Sequence, residues 1–405
     1  MKAQEIYQTY NDCILTTYTR VPVIFVKGKG SVLTDIQGKK YLDFFPGWGV
    51  SNLGHCHPKV MGAVREQIGK LIHIPNNFYN PHQAKLAREL IRMSFDGKIF
   101  FCNSGTESIE AAIKFVRAWG QGKKSEIITT VNSFHGRTMG ALAATGQEKH
   151  QKGFAPLPAG FKYVPFNDIS ALKAAVSDKT AAVMIELVQG EGGVNVAGME
   201  YVKAIRQLCD EKNILFVIDE VQTGMARTGE IFGFKHYGIT PDVMCLAKAL
   251  GGGLPIGAVI VKKALAEVFK PGMHGSTFAG SPLVCKAALG VIKAIYAGKI
   301  MKNVKTQETY LKGLLEGLKS KYDIIKEVRG LGLMIGLELT IEGSAIFKEC
   351  FNRGLIINCT QGNVLRIMPA LTVTRRQINK AVHILDVSIA SVIAKEDLSM
   401  TKGKV

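Results

Sequence analysis

Along the middle of the chain, short runs of consecutive apolar residues alternate with stretches in which apolar residues recur every three or four positions. The runs are KIFFCN (98–103), EIITTV (126–131), AAVMIEL (181–187), LFVIDE (215–220), VMCLA (243–247) and IGAVIV (256–261). Strands that are apolar on both faces belong inside a parallel sheet covered on both sides. Between them, ESIEAAIKFVRAWG and GMEYVKAIRQLCDEKN carry the helical repeat. The alternation predicts an α/β fold: a mostly parallel sheet with helices on both faces. After about residue 285 the texture changes to a long amphipathic helix followed by VRGLGLMIGLEL, GLIIN and NVLRIMPAL, which predicts a smaller α+β domain. Within it, GLGLMIG (330–336) reads as one glycine-kinked strand rather than a nucleotide fingerprint, since no strand–turn–helix surrounds it. The N-terminal VIFVKGKGSVLTDIQGKKYLDFF reads as a meander turning at Gly28–Gly30 and Gln37–Gly38.

Charge changes the picture little. The 51 Lys and Arg exceed the 33 Asp and Glu, giving +18 over 405 residues. The basic residues are spread along helices instead of gathered with aromatics, which favours a solvated surface or attraction of anionic metabolites over nucleic-acid binding. Eight cysteines without a C-x-x-C pair point to reduced thiols and a cytoplasmic protein. No apolar run reaches membrane-spanning length, so no membrane partner is expected.

In an open parallel sheet, ligands gather beyond the carboxyl ends of the strands, and four such ends carry reactive residues. After KIFFC comes NSGTESIE, where Ser104 and Glu107 have capping-box spacing and Gly105 lets the backbone approach a ligand. The N–H groups of such a helix start suit a phosphate. After EIITTV comes NSFHGRT, which brings Phe134 and Arg137 to the next strand mouth; after LFVI come Asp219 and Glu220. VMCLA ends in Lys248 and a glycine run. A carboxylate at the end of a core strand needs a positive partner. Pyridoxal phosphate would supply one, because it requires a lysine for its aldehyde, an acid for its ring nitrogen, an anion cradle and commonly an aromatic platform. On this reading Asp219 meets the ring nitrogen, Lys248 binds the cofactor and shuttles protons, Ser104, Gly105 and Thr106 hold the phosphate, and Phe134 stacks on the ring.

The motifs NSGTES, FHGRT, QGEGGV, FVIDEVQTGMARTG, LAKALGGGLPIGAV and GSTFAGSPL, in this order, resemble the class III (ω-amino) aminotransferases of PLP fold type I. The resemblance runs from YLDFFPGWGVSNLGHCHP to VLRIMPAL. It implies residues 1–50 as the N-terminal part of a small domain, 51–289 as the large PLP-binding domain and 290–405 as the C-terminal part of the small domain. It also implies Val221 and Gln222 at the cofactor ring, with Thr277 reaching the phosphate of a neighbouring subunit in a homodimer with shared sites. Arg137 would take the distal carboxylate of an amino donor, and Arg366 the α-carboxylate of glutamate or 2-oxoglutarate. Glu191 would pair with Arg366 while the donor is bound; Ser276 and Trp48 complete the implied substrate contacts.

Within the family the motifs are nearest the branch acting on acetylornithine, in arginine synthesis with 2-oxoglutarate as acceptor. Donors such as ornithine, succinylornithine or 4-aminobutyrate remain alternatives, and an aminomutase is a more distant one, because it needs no external acceptor and no Glu191/Arg366 pair. Trp48 stands where the family has a tyrosine or a smaller aliphatic residue. The doublet His55 and His57 in GHCHP reads as a turn closed by Pro58 rather than a metal site, since no further ligand cluster accompanies it.

Overall fold

The computed structural model describes residues 2–402. An N-terminal meander contains β1 (Phe25–Lys29), β2 (Val32–Asp35) and β3 (Lys40–Asp43). The central strands are β4 (Gly97–Cys102), β5 (Glu126–Thr130), β6 (Phe161–Val164), β7 (Thr180–Glu186), the short β8 (Val188–Gln189) and β9 (Asn195–Val196), then β10 (Leu215–Asp219), β11 (Val243–Leu246) and β12 (Gly257–Lys262). The C-terminal part adds β13 (Ile325–Leu331), β14 (Met334–Leu339), β15 (Leu355–Ile356), β16 (Asn358–Thr360) and β17 (Val364–Ile367).

The large sheet has the order β4-β12-β11-β10-β7-β5-β6. Only β12 runs against its neighbours, pairing antiparallel with both β11 and β4. β7, β10, β11 and β12 are buried almost throughout because helices pack on both faces, as their unbroken apolar runs require. The apolar-run pattern misses β6, whose FKYV alternates polar and apolar residues at the sheet edge. Lys162 and Tyr163 reach solvent there, so the continuous signal is lost.

The meander forms, its second turn at Gln37–Gly38 as expected but its first at Gly30–Ser31, because Gly28 and Lys29 pair within β1, and β15 from the C-terminal part adds to β3 in parallel. The C-terminal part thus contributes a strand to the meander's sheet. Its own sheet, β13-β14-β17-β16, is antiparallel at every pairing. Here one expectation is corrected. The glycine-rich GLGLMIG is a tight hairpin between β13 and β14, not a kinked strand; Gly332 turns it with φ of +62°, where an added Cβ would strike the Thr228 backbone at 2.5 Å.

Arg227 rivets these parts. It is fully buried and donates to the carbonyls of Leu333 and Pro369 in the C-terminal part and to Asn52. Among the described residues no carboxylate meets it, and burial pushes its guanidinium down to about 9. Among the described residues, no helix is long and apolar enough to cross a membrane.

Candidate active site

The carboxyl ends of β4, β5, β7, β10 and β11 open onto a cleft of about 250 Å³. Gly105, Thr106, Phe134, Arg137, Glu191, Asp219, Val221, Gln222 and Lys248 all line it. The sequence reading did not single out Glu186 and His135, which line it as well. Ser104, Arg366 and Trp48 are not in the lining but adjoin it: Ser104 precedes Gly105, Arg366 bonds Glu191 and the Trp48 carbonyl bonds Gln222. Ser276 and Thr277 do not line the cleft, and Thr277 is exposed.

Asp219 ends β10 as a buried acid with both oxygens engaged. Oδ1 accepts from the Val221 N–H at 2.9 Å, and Oδ2 lies 2.8 Å from His135 Nδ1. An ionised carboxylate only accepts, so this geometry puts the imidazole proton on Nδ1. Burial alone would lower the His135 pKa, but the hydrogen bond and charge of Asp219 outweigh it and raise the group above its ordinary value. Part of the partnering expected only from a cofactor is therefore supplied by the protein, as a hydrogen bond from His135. His135 Nε2 is buried with no partner among the described residues.

Glu220 has a different task. It is buried, accepts from Thr223 Oγ1 at 2.5 Å and from the Phe234 N–H at 2.7 Å, and so caps the turn at 233–237. Burial raises its pKa. Only the first carboxylate of the Asp–Glu pair faces the cleft.

Lys248 follows β11 with a φ of +41°, a left-handed conformation costing about 1–2 kcal/mol for a residue with a side chain. Burial lowers its pKa, more than the nearby Glu191 and Asp219 raise it. A larger fraction of free amine follows, which suits a nucleophile and proton carrier. At the start of helix Gly105–Trp119, Ser104 Oγ accepts from the Glu107 N–H at 3.2 Å. The other half of the expected capping box is redirected, since the Glu107 carboxylate takes the N–H and side-chain amide of Asn103. The N–H groups of Gly105 and Thr106 have no acceptor within the helix. Gly105 is needed for a packing reason, because a Cβ there would lie 2.8 Å from Val221 Cγ1.

Arg366, on β17, is fully buried, and its Nη1 donates to Glu191 Oε1 at 2.7 Å. Burial would raise the Glu191 carboxyl, but the charge and hydrogen bond of Arg366, with Lys248 and the Gln222 amide, hold it below the usual range. Gln222 Nε2 also donates to the carbonyl of Trp48, a residue at φ +54° with a half-exposed ring edge-on to Phe45. Arg137 is exposed at the lip, its guanidinium 5.5 Å from the Phe134 ring centre. His55 bonds Asp43 at 2.7 Å, while His57 Nδ1 accepts from the Lys59 N–H and caps a helix.

These residues fit pyridoxal phosphate. The buried acid with its histidine, the unsatisfied helix N–H groups, the aromatic Phe134 and the amine of Lys248 converge on one cleft. Comparisons with known proteins agree. The acetylornithine aminotransferase of Methanocaldococcus jannaschii is 53% identical over 92% of this chain and 94% of its own. That of Caldanaerobacter subterraneus subsp. tengcongensis is 50% identical over 92% and 96%. The ornithine aminotransferase structure from Toxoplasma gondii, described with partial occupancy of PLP at its active site, superposes with a TM-score of 0.93 at 30% identity, covering 97% of this chain and 96% of that one. The class III aminotransferase family model matches residues 14–389, and the chain belongs to that family of PLP-dependent enzymes.

Proposed function

We propose that this enzyme transfers the terminal amino group of N2-acetylornithine to 2-oxoglutarate, giving N-acetylglutamate 5-semialdehyde and glutamate, a step of arginine synthesis. The observation that carries the reading is the Glu191–Arg366 pair at the cleft wall, set apart from the exposed Arg137. Two substrates that differ in the distance from reacting carbon to carboxylate need two cations, with the nearer one cancelled for the longer substrate. Curated relatives named for acetylornithine support the donor.

Bound in the cleft, pyridoxal phosphate would supply an aldehyde for amines and a cationic ring that draws electrons from the carbon beside the nitrogen. Lys248 would hold its aldehyde, Asp219 its ring nitrogen, Ser104, Gly105 and Thr106 its phosphate, and Phe134, Val221 and Gln222 its ring. Asp219, braced by His135, would present its carboxylate where the ring nitrogen needs a proton. Lys248 Nζ takes the proton from the substrate carbon that carries the amine and returns it later, aided by its lowered pKa. Arg137 orients the donor by its distal carboxylate, and Arg366 orients the acceptor by its α-carboxylate once Glu191 withdraws. Trp48 and Ser276 would border the donor.

A homodimer with shared sites is part of the same reading. Phe78, Tyr79 and Phe278 are large and exposed, as are Ile68 and Ile72. The segments carrying them meet where His73 packs on Phe278 and Asn76 bonds the Ala279 carbonyl. An apolar patch of this kind marks a protein interface. Thr277 adjoins Phe278 of this patch and on this reading serves the partner's phosphate. The free cysteines support a reducing, cytoplasmic setting. The test is a donor panel with 2-oxoglutarate: N2-acetylornithine should give the highest kcat/KM. A higher value for ornithine, succinylornithine or 4-aminobutyrate would reassign the donor.

A further inference from the structure

Asn358 and Arg366 are direct partners across the antiparallel pair of β16 and β17, so their side chains leave the same face of the sheet. Asn358 Oδ1 accepts from Arg366 Nε at 3.2 Å and from Nη2 at 2.9 Å. A guanidinium has five N–H donors in one plane and no acceptor. Its Nε/Nη2 edge is thus occupied by a neutral oxygen, which leaves the outer Nη1/Nη2 edge for a carboxylate. Glu191 sits on Nη1 of that edge. Phe45 covers one face of the guanidinium, its ring centre 4.6 Å from Cζ.

The Glu191 loop is clamped at its main chain. Thr360 Oγ1 and Gln361 Nε2 each donate to the Glu191 carbonyl at 2.7 Å. Arg329 donates to the Gly193 carbonyl through Nε at 3.1 Å and Nη2 at 2.7 Å. On the sheet beside Arg366, Gly336 lets the same loop pack closely, since a Cβ there would lie 3.0 Å from Val194 Cβ. Arg366 is therefore held by Asn358 independently of Glu191, whereas the Glu191 carboxylate is held only by Arg366 and the Gln222 amide. Of the two, Glu191 is the one whose side chain can leave the pair without disturbing its clamped backbone.

We infer that Asn358 is a positioning residue for the amino acceptor: it holds the outer edge of Arg366 ready for an α-carboxylate, and its neutrality keeps the Arg366 charge available. This rests on the Glu191–Arg366 reading above. A carboxylate at position 358 would cancel Arg366 permanently, as Glu191 does reversibly. An aliphatic residue would free the guanidinium to turn.

The test uses holoenzyme with Asn358→Asp, Asn358→Leu, Asn358→Gln and, as reference, Arg366→Ala. Calorimetry measures binding of glutarate, an unreactive dicarboxylate, and single-substrate kinetics follow glutamate and donor separately. Asn358→Asp should weaken glutarate binding and raise the glutamate KM by roughly tenfold or more, the scale of one charge-assisted hydrogen bond. The donor half-reaction should change far less. Asn358→Leu should show a smaller loss with the same selectivity, and Asn358→Gln should recover part of it. If Arg366→Ala weakens glutarate but Asn358→Asp binds it like wild type, or slows both half-reactions equally, the role of Asn358 is overturned while the pair stands. If Arg366→Ala leaves glutarate binding unchanged, the underlying reading fails and this inference with it.

Discussion

Asp219 and Glu186 are directly paired residues on the parallel strands β10 and β7, so two buried carboxylates leave the same sheet face side by side. Their partners divide the work. Asp219 holds His135, while Glu186 Oε2 accepts from the Phe134 N–H at 2.9 Å and so fixes the loop that carries both Phe134 and His135. Adjacent like charges in a low dielectric cannot both stay ionised without a penalty. Burial, opposed by His135 and reinforced by Asp219, pushes the Glu186 carboxyl up to about 8.

That shift has a definite sign. Between the ordinary carboxylate value of 4.5 and about 8, folded Glu186 keeps a proton that the unfolded chain has lost. Stability should therefore fall as pH rises through this window. Glu186→Gln keeps the shape and the Phe134 contact but cannot titrate. Urea unfolding of the cofactor-free protein at several pH values should show the variant gaining on wild type from pH 5 to pH 8 (roughly the window set by that shift). Parallel curves would show that Glu186 is ionised in the fold.

Asp219→Asn cannot present a charge to the ring nitrogen and sets an amide against the Nδ1 proton of His135. We expect kcat to fall by about a hundredfold or more, on the order of 2.7 kcal/mol in the barrier, while far-UV circular dichroism stays native. Activity within about tenfold of wild type would mean that Asp219 does not serve the ring. His135→Phe should lower kcat less than Asp219→Asn and leave both KM values nearly unchanged, because it acts through Asp219 and touches no substrate.

Lys248→Ala should abolish turnover and leave folding intact. After borohydride reduction, wild-type protein should carry the cofactor mass on the peptide containing Lys248, and the variant should carry none. Cofactor mass on another lysine would move the attachment site.

The parts legible in the sequence are those whose signal is local. Asp219 and Lys248 each interrupt an apolar run at a strand end, and Ser104 stands at a helix start. His135 escaped because nothing in its loop sets it apart, and its partner lies 84 residues away. Glu186 carried the same signal as Asp219, an acid closing the apolar run of β7, and a uniform reading of strand ends would have found it. Asn358 has no signal of its own, since its role exists only through the register of β16 on β17. The β13–β14 hairpin was hidden because apolar residues continue through its turn, where Leu333 is fully buried.

The central claim is that Glu191 masks Arg366 for one substrate and releases it for the other. Stopped-flow absorbance of the holoenzyme mixed with N2-acetylornithine alone, then with glutamate alone, measures the two halves separately in wild type and Glu191→Ala. The account predicts opposite changes: Arg366, no longer cancelled, should speed conversion of glutamate while conversion of N2-acetylornithine slows. Equal slowing of both halves would contradict it and leave Glu191 a structural acid on its glycine loop.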